Sequence, residues 1–282
     1  MNAESRRAAG TAALPAMVGY SLKRVRTLVA AMSLLLAAFQ VLLIVVAGSI
    51  QASDSFEQLS GLMPPFVRQL MGPAFLSLMS FSGIVCLGYF HLAVMGSLVG
   101  LAIALGTMPT SEIETGFMDL ILSRPVARHW IITRSIIVML MCTVTALTMM
   151  MLGTWVGLNQ LAPEGVTWPT SHLILSLVIN LAALMLCWNA IAMAVGSAAR
   201  RRSAAGGLVG IAALAMFLLD YVARAWEPAE RVAWLSPFRY YSPFELVMGD
   251  ALSTKNLLVL SGIALCGYAM AYVLFSRRDI SH

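Results

Sequence analysis

Charge is what this chain has least of. Across 282 residues only 11% are charged and 60% are hydrophobic, and the mean hydropathy is +0.84. A water-soluble domain carries roughly 25% charged residues, so this composition excludes one and requires an integral membrane protein. The strict apolar–polar alternation of a membrane barrel is missing as well, which leaves helices as the spanning elements. No GxxxxGK[ST] phosphate-binding loop occurs, so any ATP the protein depends on must be bound by another chain. HExxH and GxSxG are absent, no carboxylates fall at metal spacing, and His91, His129, His172 and His282 are scattered. The chain therefore presents no catalytic, cofactor or metal site of its own and is not expected to be an enzyme. Its four cysteines, Cys86, Cys142, Cys187 and Cys266, lie in apolar stretches without CxxC spacing, which argues for packing residues over zinc ligands or a disulfide framework. No basic, aromatic-laced soluble face exists, so nucleic acid is not an expected partner.

What is present is a succession of long apolar stretches, each near the ~20 residues a helix needs to cross about 30 Å of hydrocarbon. They predict an all-α membrane protein with spans over 28–50, 74–106, 130–158, 173–198, 204–221 and 257–275. The whole chain, 1–282, reads as one transmembrane domain: a cytoplasmic tail and elbow over 1–27, a six-span bundle over 28–275, and a cytoplasmic tail over 276–282. Nothing in residues 1–12 resembles a targeting code. Leu14, Val18, Leu22 and Val25 at helical spacing, followed by Lys23, Arg24 and Arg26, predict an amphipathic elbow helix on the membrane surface. Residues 51–73 form an external loop with a short helix near 66–71. Between spans five and six, Trp226, Trp234, Phe238, Tyr240, Tyr241 and Phe244 predict short interfacial helices broken at Pro228, Pro237 and Pro243. With the N-terminus inside, Arg6, Arg7, Lys23, Arg24, Arg26, Arg124, Arg128, Arg134, Arg200, Arg201, Arg202, Arg277 and Arg278 share the inner face, against Arg68, Arg224, Arg231, Arg239 and Lys255 outside. The excess of arginine puts both termini in the cytoplasm.

One polar island, Ser111 to Arg128, interrupts the second and third spans. Ser111 with Glu114 three residues on has the signature of a capping box. Ile113, Phe117, Leu120 and Ile121 then form an apolar stripe, opposite Glu112, Thr115, Gly116, Asp119 and Ser123. The pattern predicts an amphipathic helix of about three turns, closed by Arg124 at its C-terminus and Pro125 at the corner. Any inter-span loop must be polar, but a capped helix with a fixed corner and charges of both signs is suited to being gripped from the cytoplasm. Within the spans the ionisable residues are His91, read as a hydrogen-bonded packing residue, and Asp220, read as close enough to the outer interface to be solvated. Gly96 with Gly100, Gly153 with Gly157, and Gly206 with Gly210 are read as close-packing positions inside the bundle, with one pair available to a homodimer seam. The nineteen methionines are read as core filler.

The run Glu114-Thr115-Gly116-Phe117-Met118-Asp119-Leu120-Ile121-Leu122-Ser123-Arg124-Pro125-Val126-Ala127-Arg128, set between spans two and three, resembles a hallmark of type 2 ABC transporter permeases. Glu114, Gly116, Leu120, Leu122, Ser123, Pro125 and Arg128 match that pattern in order. Leu235-Ser236-Pro237-Phe238-Arg239-Tyr240-Tyr241-Ser242-Pro243 resembles the family's Ser-Pro-aromatic segment, and Phe275-Ser276-Arg277-Arg278-Asp279 its basic tail. The departures are Phe117-Met118 for Thr-Leu and Thr133-Arg134 for Gly-Lys. The resemblance implies the permease subunit of an exporter in a bacterial inner membrane, working as a homodimer. A separate ATP-binding subunit, carrying ATP and Mg, would dock on a cytoplasmic coupling helix and on the elbow. Phe117, Leu120 and Ile121 would fill a groove on that partner, while Glu112, Glu114, Asp119, Arg124 and Arg128 set register at the rim, and Gly116, Leu122 and Pro125 belong to the same ATPase-coupling segment. The external segment, with Trp226, Trp234, Pro237, Phe238, Tyr240 and Tyr241, fits interfacial anchoring and, beyond that, release of an amphipathic or lipid-linked cargo. The other reading is a channel or structural membrane subunit that binds a cytoplasmic partner without ATP drive. A secondary transporter is disfavoured by the lack of mid-membrane charge.

Overall fold

A computed structural model describes residues 3–52, 78, 80–118 and 127–277, with side chains from residue 14 onward. Six helical segments among them are long and apolar enough to span a bilayer, and no strand occurs among the described residues. The first, α1, runs from Ala3 to Ala52. The expected elbow is therefore not a separate helix but the N-terminal portion of the first span. Nothing at Thr27 stops it: no proline or glycine stands between Gly19 and Gly48, and lysine and arginine are good helix formers. Its apolar portion, Leu14–Gln51, is 38 residues, about 57 Å at ~1.5 Å per residue, so it projects well beyond a hydrocarbon layer of about 30 Å.

Span two is where hydropathy misleads most. It is two helices, α2 (Phe81–Phe90) and α3 (Leu92–Gly106), divided at His91, whose φ of −58° and ψ of 135° leave the helical region. An unbroken helix would pair the Ala93 N–H with the Tyr89 carbonyl. Here the two groups find separate partners. His91 Nδ1 accepts from the Ala93 N–H at 3.3 Å, and the Tyr241 hydroxyl donates to the Tyr89 carbonyl at 3.0 Å. Both halves of the broken bond are thus satisfied in a place where lipid could satisfy neither. His91 is a helix cap, with its ring 5.2 Å from that of Phe39.

After α4 (Met108–Glu114) come span three, α5 (His129–Leu161), span four, α6 (Ser171–Ala198), and span five, α7 (Arg202–Ala223). Short turns follow: α8 (Glu227–Glu230), the 3-10 turns Ala233–Leu235 and Pro237–Tyr240, and α9 (Pro243–Val247); span six, α10 (Thr254–Arg277), completes the chain. Pro228, Pro237 and Pro243 do not break these short helices; each sits in a first turn, where the missing N–H is harmless.

The core centres on α6, whose Leu177, Leu181, Leu184, Met185 and Trp188 are buried against α3, α5 and the short turns between α7 and α10. Cys86, Cys142 and Cys187 are buried there, and Cys266 is exposed. The glycines divide by role. Gly153 and Gly157 on α5 meet α1: a Cβ at Gly153 would stand 2.6 Å from the Ala37 carbonyl oxygen. Gly96, Gly100, Gly206 and Gly210 have nothing within 4 Å, which corrects their expected place in packed seams. They face an open groove between α3 and α7. Of α7 only Ala205, Val209, Ala213, Asp220 and Ala223 are buried.

Candidate functional site

The 107–118 segment begins where α3 ends. Thr107 closes α3 and its hydroxyl donates to the Ile103 carbonyl at 3.0 Å. Pro109, favourable in a first turn, restarts the helix as α4 at Met108. Ser111 therefore lies inside a helix that is already under way, which corrects the expected capping box: the Ser111 carbonyl accepts from the N–H and the hydroxyl of Thr115. Gly116, at φ +70°, then ends the turn, a conformation that costs glycine least. The expected continuous helix from Ser111 is broken at Thr115 and Gly116. Phe117 and Met118 are helical again; Asp119, Leu120, Ile121, Leu122, Ser123, Arg124 and Pro125 lie outside the described residues.

The root of the loop is fastened to the bundle by charge as well as by packing. Glu112 is fully buried, its Oε2 accepts from the equally buried Arg134 of α5 at 2.5 Å, and Arg24 of α1 lies 3.9 Å from its Oε1. This corrects the reading of Glu112 as a rim charge: both its oxygens face arginines of the same chain. Glu114 also turns inward in part, accepting the Arg202 N–H at 3.0 Å. It thereby caps the amino end of α7, where a carboxylate favours the exposed N–H groups. The Arg202 guanidinium returns to the Ala104 carbonyl of α3 at 3.2 Å, and the Thr110 hydroxyl donates to the Gly196 carbonyl of α6 at 2.8 Å.

Ile113 and Met118 are buried with Ile131, Ile132, Met193, Ala271 and Phe275, so the root also touches α5, α6 and α10. Phe117 is half-buried and stacks on Tyr20 of α1 at 5.3 Å. Gly116 is exposed, and the Arg128 backbone opens α5 through the Ile131 N–H. The sequence reading missed the roles of Arg134, Arg202 and Thr110. Arg134 alone carried a signal, being a charge a few residues inside an apolar stretch, where only a partner on a neighbouring helix makes burial tolerable.

At the opposite end of the bundle the aromatic segment splits. Trp226 and Trp234 are exposed, Pro237, Phe238 and Tyr241 are buried, and Tyr240 is intermediate, its hydroxyl donating to the Trp234 carbonyl at 3.1 Å. Burial pushes the Tyr241 phenol up from its ordinary pKa, so it remains the donor that its bond to Tyr89 requires. Behind these residues lies a cavity of about 320 Å³ walled by Phe90, Phe217, Phe238, Tyr241 and Phe244. It continues along the glycine-floored groove between α3 and α7, through a volume of about 240 Å³. The groove's lower end is walled by Gly100, Thr107, Glu114, Arg202, Gly206 and Gly207. The loop root and the groove thus share Glu114 and Arg202. Among the described residues no three His, Cys, Asp or Glu side chains gather as a metal site would need.

Six apolar spans, with a loop root tied to the helices around it and an open groove between two of them, define a multi-pass membrane protein. The family model for "ABC-2 family transporter protein" matches residues 20–280, and the chain belongs to that family. It is accordingly a membrane subunit of an ABC transporter, without an ATPase of its own, and its family implies an ATP-binding partner. No curated protein matches the chain.

Proposed function

We propose that the chain is the permease half of an exporter in the bacterial inner membrane, paired with a second copy of itself and driven by separate ATP-binding subunits. Those subunits carry ATP and Mg and grip the 111–128 loop from the cytoplasm, the face on which the arginine excess also puts both termini. The observation that carries this reading is the buried Glu112–Arg134 pair with Arg24 beside it. A loop that only covered the span ends would need no such anchor. Through it, a push on residues 117–128 reaches α1 and α5 directly, and through Glu114 and Arg202 it reaches α7 and the wall of the groove. Two copies apposed along their open α3–α7 grooves would enclose a pathway floored by Gly96, Gly100, Gly206 and Gly210. Relative tilting of α7 against α3 would open it at one end or the other.

The test is co-purification. A tagged chain expressed with the neighbouring genes should retain an ATPase from membranes, and Arg128→Glu should lose that retention or its coupling while still inserting. Retention of a partner with no ATPase activity would replace this reading with the channel or structural one. An Arg128→Glu protein that binds and transports normally would remove the loop from the docking surface.

A further inference from the structure

The aromatic cavity contains one feature that packing does not require. Asp220 of α7 is only 5% exposed, yet just one of its oxygens is used: Oδ2 accepts from Arg224 at 2.9 Å, while Oδ1 is buried without a hydrogen bond. A buried carboxylate oxygen left unpaired is costly, and a carboxylate can accept several donors at once. Asp220 lines both the aromatic cavity and a neighbouring polar cavity of about 460 Å³. Arg224 and Asp220 are the charged residues among the described walls of the aromatic cavity. The Arg224 guanidinium also lies 5.9 Å from the centroid of the Phe244 ring. A cation of the chain itself therefore already sits between this carboxylate and an aromatic face, held by a side chain that is half exposed.

We propose that this cavity binds amphipathic amines, molecules with an apolar body and a protonated amine. The ammonium donates to Asp220 Oδ1, and the apolar body lies against Phe90, Phe217 and Phe238. Carboxylate and aromatic faces act in the same direction, since ring faces are negative and attract cations, and the volume falls within the roughly 300–1,000 Å³ of small-molecule sites. An anionic amphiphile would set its charge against Asp220 and would instead be drawn to the polar cavity, where Arg239 and Lys255 stand. As a binding site the cavity stands on this geometry alone; that its ligand is cargo rests on the exporter reading.

The experiment uses the full chain in lipid nanodiscs, without an ATPase, so that a failure of the transport reading leaves the result untouched. The probes are a fluorescent aryl-alkyl primary amine, its N-acetyl derivative and its carboxylate counterpart, with empty nanodiscs as the partition control. The amine should bind at least about tenfold tighter than either counterpart, as a charge-assisted contact predicts. Asp220→Asn should abolish that preference and leave N-acetyl binding unchanged. Arg224→Gln, which removes the competing cation, should tighten the amine. Leu92→Trp, on the exposed part of the wall, should block it without disturbing the fold. The proposal is overturned if the neutral or anionic probe equals the amine in the wild type, if folded Asp220→Asn keeps the preference, or if Arg224→Gln or Leu92→Trp leaves amine affinity unchanged.

Discussion

At the scale of single residues, the chain concentrates its polar chemistry in a few buried bonds whose loss is predictable. Arg134→Ala leaves the buried Glu112 carboxylate with only the more distant Arg24, 3.9 Å away, and should lower stability by up to about 3–5 kcal/mol, read as unfolding of the detergent-solubilised protein. The double variant Glu112→Met with Arg134→Met removes both charges and should recover most of that loss. The two substitutions should then separate folding from coupling, because the double variant lacks the anchor that ties the loop to α1 and α5. Tyr241→Phe deletes one donor and leaves the Tyr89 carbonyl without a partner, a cost of about 1–3 kcal/mol, visible as a lower unfolding temperature. Neither pairing was legible in the sequence. Arg134 stands 22 residues from Glu112 and Tyr241 stands 152 from Tyr89, and a local pattern holds no information about such distances.

At the scale of elements, the spans were legible because the bilayer imposes length and hydropathy on every one of them. Their interruptions were not. His91 breaks span two with neither proline nor glycine at the break; it does so because its own imidazole and a distant tyrosine take over the freed backbone groups. Ser111 and Glu114 have capping-box spacing, but Pro109 had already begun the helix, and the earlier signal prevailed. The elbow expected before the first span continues into it as one helix because no proline or glycine stands between Gly19 and Gly48. The glycine pairs look alike on paper and differ in place. Gly153→Leu should force α1 and α5 apart and destabilise the fold by about 1–3 kcal/mol, the usual penalty for overpacking. Gly100→Ala and Gly206→Ala, which face open space, should leave the unfolding temperature near that of the wild type. If they nonetheless impair transport, the groove belongs to the pathway.

For the molecule as a whole, the two ends of the bundle differ in chemistry along one groove. At one end Glu112 and Glu114 tie the root of the 111–128 loop to the helices, and the other holds the aromatic cavity and Asp220. The split backbone bond of span two also bears on how the protein is made. The ribosome delivers the chain from its N-terminus, so Tyr89 and Ala93 enter the membrane while Tyr241, 152 residues downstream, is still untranslated. At roughly 5–20 residues per second that gap lasts about 8–30 s. For that interval the Tyr89 carbonyl lacks the hydroxyl that it accepts from in the complete chain, and the ordinary helical bond from the Ala93 N–H is the partner expected to take its place. The break at His91 is then expected to be set late, when Tyr241 arrives and one backbone bond is exchanged for two side-chain ones. A nascent chain arrested before residue 241 should therefore carry an unbent second span, and completing synthesis should be what sets the bend.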